Sequence, residues 1–134
     1  MKHGETVRVK DVMKTQFDLI HGIETVADAL RKAQHLETEC FLVDRRHDDD
    51  EYGIVLLADI AKKVLGADKA ADRVNVYEIM SKPVISVDPD MDIRYCARLF
   101  ERFGLTLAPV VQNRTLAGVV SYRDIVLRGL GDRL

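Results

Sequence analysis

Gly118-Val119-Val120-Ser121-Tyr122-Arg123-Asp124-Ile125 reads as an apolar strand that breaks into a helix, and Gly53-Ile54-Val55-Leu56-Leu57-Ala58-Asp59-Ile60 repeats its outline. Both stretches open on glycine, run through aliphatic residues and set an aspartate before a closing isoleucine. A second pair of landmarks lies upstream of each. Val9-Lys10-Asp11-Val12-Met13 and Val76-Tyr77-Glu78-Ile79-Met80 share one order: apolar, any, acidic, apolar, Met. Met13 precedes Asp59 by nearly the distance at which Met80 precedes Asp124. Two matched landmarks at matched spacing mark an internal duplication.

Between the landmarks the same elements recur. A short apolar strand follows each methionine, at Phe17 to Ile20 and at Val84 to Val87. A helix comes next. Val26, Ala29, Leu30 and Ala33 keep helical spacing with Thr25 placed to cap, and Ile93, Cys96, Ala97 and Phe100 do so behind Asp92. Two strands joined by a turn follow: Cys40 to Val43 with Tyr52 to Leu57, then Ala108 to Val111 with Ala117 to Ser121. Their β-branched and aliphatic character fits sheet buried against helices. Final helices run from Asp59 to Leu65 and from Tyr122 to about Leu130. The expected organisation is an α+β chain of two β-α-β-β-α motifs at 7–66 and 76–131, with a linker at 67–75 that carries some helical turn.

With 134 residues the chain is long enough to bury a core without disulfides or metals. At 47% hydrophobic and 31% charged it reads as a soluble globular protein, and a formal net charge of −2 argues against a broad nucleic-acid surface. No stretch approaches the length of a membrane span. The opening Met1-Lys2-His3-Gly4-Glu5 lacks the apolar run of a secretory leader, so the chain is expected in the cytoplasm unless it is cut from a larger protein. Cys40 and Cys96 sit among apolar neighbours outside any C-x-x-C pair and read as buried reduced thiols. The run His47-Asp48-Asp49-Asp50-Glu51 falls at a strand–strand turn, where Asp is common, although carboxylates also suit hard divalent ions. No zinc spacing, glycine-rich phosphate loop or nucleophile–base pair stands out, so neither metal nor catalysis is expected.

The duplicated Val-x-x-x-Met segments, the Pro109-Val110-Val111 strand and the two Gly-x-x-x-x-x-Asp stretches resemble the CBS domain, which occurs in tandem pairs called Bateman modules. The resemblance spans about Val7 to Leu130. It implies two halves packed through their sheets around a pseudo-two-fold axis, with two clefts. Such modules commonly bind AMP, ADP, ATP or S-adenosylmethionine, regulate another protein and pair as dimers. It implies no required cofactor.

Ser121, Arg123 and Asp124 are the residues best suited to such a ligand. Ser121 ends a strand where a helix begins, and its hydroxyl is placed to cap that helix or to face a phosphate. The Asp124 carboxylate suits a ribose diol, and Arg123 suits phosphate. Ser-x-x-Asp is also nearly a capping box, and the two roles are compatible. The first half departs from the pattern. Leu56 stands for the hydroxyl residue and Ala58 for the arginine, leaving Asp59, which also suits a helix N-terminus. The expectation is one competent site at Asp124 and one weaker site at Asp59. By resemblance, the base at the first would lie against Leu19, Ile20, His21, Glu37 and Thr38. At the second it would lie against Ser86, Val87, Asp88, Leu105 and Thr106.

Three functions follow as expectations. The foremost is a regulatory adenosine-ligand sensor acting on an unidentified partner. The alternative is a CBS scaffold that has lost its ligand and serves dimerisation or docking. A small enzyme built on Asp49, Asp50 and Glu51 lacks any assembled constellation. The helices at 25–36 and 92–103 carry broad apolar faces, including Val26, Leu30 and Leu36 and Ile93, Phe100 and Phe103. A homodimer or the intramolecular core would cover them.

Overall fold

Val9–Val12 forms a single helical turn, α1, whose valines are fully buried. In this computed structural model residues 6–134 are described. The leader reading at Met1-Lys2-His3-Gly4-Glu5 lies outside them. The elements run α1, β1 (Leu19–Ile20), α2 (Val26–Lys32), β2 (Cys40–Val43), β3 (Gly53–Leu56) and α3 (Leu57–Ile60). Then come α4 (Ile93–Phe103), β4 (Leu107–Gln112), β5 (Thr115–Ser121) and α5 (Tyr122–Asp124). Helices α3 and α5 continue as wider π-type turns through Ala61–Leu65 and Ile125–Leu130. The fold is α+β, and no described helix is long and apolar enough to cross a membrane.

The chain divides into two compact units that cut across the sequence repeats. Phe17–Val84 forms one, here the α2 unit; the described residues through Gln16 join Ile85–Leu134 in the other, the α4 unit. The motif boundaries at 7–66 and 76–131 therefore do not coincide with the compact units. Each Val-x-x-x-Met segment packs with the repeat that does not contain it. In the α4 unit, Ile93 N–H donates to Val7 O and Val9 N–H to Met91 O. In the α2 unit, Val26 N–H donates to Val74 O and Val76 N–H to Glu24 O. The expected linker carries the helical turn Ala71–Arg73.

The α2 unit has a three-stranded sheet in the order β1-β2-β3, with β1 parallel and β3 antiparallel to β2. Its core gathers Ile20, Val26, Phe41, Val55, Ile60 and Val76. The α4 unit pairs β4 with β5 antiparallel, and buries Val9, Val12, Ile93, Phe100, Val110 and Val120. The strand expected at Val84 to Val87 shrinks to one residue. Val87 alone bridges Val110, giving its N–H to Pro109 O and taking Val111 N–H. Cys96, in that core, has its thiol pushed up to about 11 by burial.

Helix ends follow local chemistry. Thr25 caps α2 by accepting from Asp28 N–H at 3.1 Å, and Asp92 caps α4 by accepting from Arg94 N–H at 2.9 Å. Gly104 closes α4 at φ 67, a left-handed turn that glycine adopts without strain. Helix α2 stops at Lys32 instead of reaching Leu36. The Asp18 carboxylate takes the N–H groups of Gln34 and His35, which a longer helix would have used internally. The apolar faces divide: Val26, Ala29, Ile93 and Phe100 are buried, while Leu30, Leu36, Tyr95 and Phe103 are exposed.

One close approach builds each unit. Lys14 exchanges both backbone hydrogen bonds with Val119 at 2.9 Å, and Ser81 does the same with Ile54 at 2.9 and 3.0 Å. A Cβ on Gly118 would lie 2.3 Å from Lys14 O, whereas one on Gly53 would meet the Met80 sulfur at 3.0 Å and Ser81 O at 3.3 Å. A backbone carbonyl fixed in a two-way hydrogen-bonded bridge cannot retreat; a thioether can. Gly118→Ala is therefore expected to cost about 1–3 kcal/mol and Gly53→Ala distinctly less. Urea unfolding of the two variants checks this, and equal losses would count against the backbone contact.

Candidate functional site

Strand β5 delivers Ser121 to the start of α5 in an extended conformation, φ −125 and ψ 167. Its Oγ accepts from Asp124 N–H at 3.2 Å, and Asp124 Oδ2 accepts from both Ser121 N–H and Ser121 Oγ at 3.0 Å. The capping box expected of Ser-x-x-Asp is thus formed. It leaves Oδ1 for a further donor, and Lys14 Nζ supplies it at 2.5 Å. The Asp124 side chain is 4% exposed and that of Lys14 26%. The carboxylate is shut in while the lysine side chain is partly exposed. Removing either member would strand the other's charge, which is the costly way to break such a pair.

Lys14 reaches Asp124 because the segment before it is fixed. Arg128 Nη1 donates to Val12 O at 2.7 Å and to Met13 O at 3.0 Å. Sequence reading overlooked Lys14 by comparing each Asp with the Met of its own repeat. Setting Met13-Lys14 beside Met80-Ser81 exposes the difference: one repeat offers an amine, the other a hydroxyl.

The other predicted residues are distributed as follows. Arg123 is exposed on the turn that buries Asp124. Leu105 is half-buried and Thr106 exposed; Thr106 O accepts from Tyr122 N–H at 3.0 Å. Thr106, assigned from sequence to the Asp59 set, is therefore a neighbour of Asp124 within the α4 unit. Ser86 is exposed, the Val87 side chain is in the core, and Asp88 accepts from Asp90 N–H at 2.8 Å. In the α2 unit Asp59 is half-buried, and its Oδ2 accepts from Leu56 N–H at 2.9 Å. Leu56 brings no hydroxyl, and Ser81 stands where Lys14 stands in the other unit.

Glu39, next to the predicted Glu37 and Thr38, gives its carbonyl to Leu57 N–H at 3.0 Å. This places that turn beside the Asp59 end of the α2 unit. Glu37 is exposed. Thr38 is buried, its hydroxyl donating to His35 O at 2.8 Å. The Leu19 side chain is exposed and that of Ile20 lies in the core. His21 lines a cleft of about 770 Å³ within the α2 unit, together with Val43, Arg45, Tyr77, Met80 and Lys82.

The acidic turn is partly a buried structure. His47, Asp48 and Asp49 are exposed, but Asp50 is 9% exposed and accepts from Lys82 Nζ at 2.7 Å and from Arg46 N–H at 2.9 Å. Among the described residues no group of His, Cys, Asp or Glu is placed to hold a metal ion.

A model of the CBS domain family matches residues 76–131. The hexameric CBS-CP12 protein from bloom-forming cyanobacteria is 35% identical, with a TM-score of 0.88 over 95% of this chain and 73% of that one. The chain belongs to the CBS domain family, as a tandem CBS pair. A CBS domain pair solved in complex with 5′-methylthioadenosine and S-adenosyl-L-methionine shares the fold at 24% identity. Its TM-score is 0.79 over 97% of this chain and all of that one. An uncharacterised protein of Methanopyrus kandleri is 32% identical over 81% of this chain. The chain spans about half the length of the curated relatives it matches, 57% and 43%.

Two carboxylates tie stability to acid pH. The Lys82 ammonium, with Arg46, holds the Asp50 carboxyl well below its usual range, and the Arg94 guanidinium lowers Asp92 to about 2. Both bind protons less readily folded than unfolded. Their contribution is complete above the unfolded carboxylate range near about 4 and is lost as pH falls below it. Urea midpoints followed from neutral pH downward should therefore drop below about pH 4. Asp50→Asn should start lower at neutral pH and fall less steeply; an unchanged acid slope would remove Asp50 from this account.

Proposed function

We propose that the chain is a regulatory module that binds an adenosine-containing small molecule at Asp124 and acts on a partner protein. The observation that carries the reading is the Asp124 carboxylate itself. It is buried at a strand–helix junction, oriented by Ser121, and charge-balanced by Lys14 from the other sequence repeat. A carboxylate so oriented accepts paired hydroxyl donors, as a ribose presents them. The fold shared with a CBS pair solved with 5′-methylthioadenosine and S-adenosyl-L-methionine supports the ligand class. The candidate effectors are AMP, ADP, ATP and S-adenosylmethionine. Asp59, half-buried and lacking both the hydroxyl and the amine, makes a weaker site or none.

We read the module as non-enzymatic and cytoplasmic, since the polar groups at Asp124 satisfy one another and both cysteines are buried thiols. A homodimer would cover the exposed Leu30, Leu36, Tyr95 and Phe103. A ligand-free scaffold is the second reading. It is favoured by the fact that Asp124 already has a full set of partners within its own unit.

Calorimetric titration with the four adenosine ligands tests the first reading. Binding is expected, with Asp124→Asn weakening it by about 10-fold or more and Asp59→Asn leaving it nearly unchanged. No heat with any of the four at millimolar concentration would leave the scaffold reading in place.

A further inference from the structure

The Asp124 carboxylate already holds a cation. Oδ2 accepts twice from Ser121, and Oδ1 accepts from Lys14 Nζ. The Lys14 backbone is fixed by its bridge to Val119 and by the Arg128 clamp on Val12 O and Met13 O. Only the four-carbon stem is free to turn, on a side chain that is partly exposed while the carboxylate it holds is shut in. The matching position in the α2 unit, Ser81, has no amine, and the next residue, Lys82, is committed to Asp50.

A sugar diol taken up by Asp124 must share or displace the Lys14 bond. An uncharged nucleoside offers the ammonium no acceptor of comparable strength, so part of its gain at the carboxylate is cancelled by the weakened ion pair. A ligand with a 5′ phosphate brings its own anion. The ammonium then exchanges one anionic partner for another, and Arg123, exposed on the same turn, adds positive charge nearby. S-adenosylmethionine sets a cationic sulfonium at the 5′ position, which neither group favours, and its carboxylate lies at the far end of the amino-acid arm.

We propose that Lys14 is the anion-reading residue of the Asp124 site, so that this site takes 5′-phosphorylated adenosine in preference to uncharged or sulfonium nucleosides. The proposal rests on Asp124 being the ribose acceptor. It predicts unequal effects on two ligands that share a ribose. Lys14→Met should weaken AMP by about 10- to 100-fold, while 5′-methylthioadenosine is unchanged or binds more tightly, because its competitor is gone.

The experiment is calorimetric titration of the full chain with AMP and with 5′-methylthioadenosine, at two salt concentrations. The proteins are wild type, Lys14→Met, Lys14→Arg and Asp124→Asn, each checked for folding by circular dichroism. Wild type should prefer AMP, with an affinity that falls as salt rises. Lys14→Met should lose both the preference and the salt slope, and Lys14→Arg should keep them. Should Lys14→Met not fold, the wild-type preference, its salt dependence and the arginine variant still decide. Equal affinity of wild type for the two ligands, or parallel losses for both in Lys14→Met, overturns the proposal. If Asp124→Asn loses both ligands while Lys14→Met changes neither, the ribose reading stands and the role of Lys14 falls. If wild type binds neither ligand, nor any of the other adenylates, both fall together.

Discussion

Lys14 and Val119 exchange both backbone hydrogen bonds across Gly118, and much of the α4 unit hangs on that approach. It seats the segment that begins at Val7, so that Val9 and Val12 enter the core beside Ile93 and Val120. It also sets the register that brings Lys14 Nζ to Asp124. A side chain at Gly118 would occupy the space of the Lys14 carbonyl. The α2 unit repeats the device with Ser81, Ile54 and Gly53, but more loosely, because a methionine sulfur lies nearest there. One backbone constraint used twice thus explains why glycine opens both duplicated stretches.

The local parts of this architecture were readable in the sequence. Thr25 and Asp92 were placed to cap, and they do; the paired strands after each helix fall where aliphatic runs end in turns. These signals are local, and neighbouring residues suffice to produce them. The exchange of lead segments was not readable. Met13 stands at nearly the same distance from Asp59 as Met80 from Asp124, so the spacing fits sequential halves as well as exchanged ones. Which sheet a segment joins is decided by contacts such as Lys14 to Asp124, separated by 110 positions. The early end of α2 has the same origin. Its sequence continues a helical pattern, but Asp18 captures the next two N–H groups from outside the helix.

The candidate site was legible as far as its chemistry is local. Ser121 and Asp124 sit three apart, and that spacing forms a capping box whether or not a ligand follows. The counter-ion was hidden, because Lys14 belongs to a different repeat and looks like an ordinary surface lysine. Its neighbour by sequence analogy, Ser81, gave no hint of an ion pair.

Capping and binding are therefore successive demands on one carboxylate rather than rival explanations. A buried Asp124 without a cation would be an uncompensated charge in the ligand-free unit. Ser121 fixes its direction and Lys14 keeps its negative charge compensated, so the ligand-free unit carries no stranded anion. Asp59, half-exposed, faces no such demand, and its unit has neither the hydroxyl at position 56 nor the amine at position 81. The two duplicated stretches keep their aspartate and differ in the three residues before it, Ser121 to Arg123 against Leu56 to Ala58. Compensating a buried charge requires specific partners, and for the aspartate of the duplicated stretch only the α4 unit supplies them.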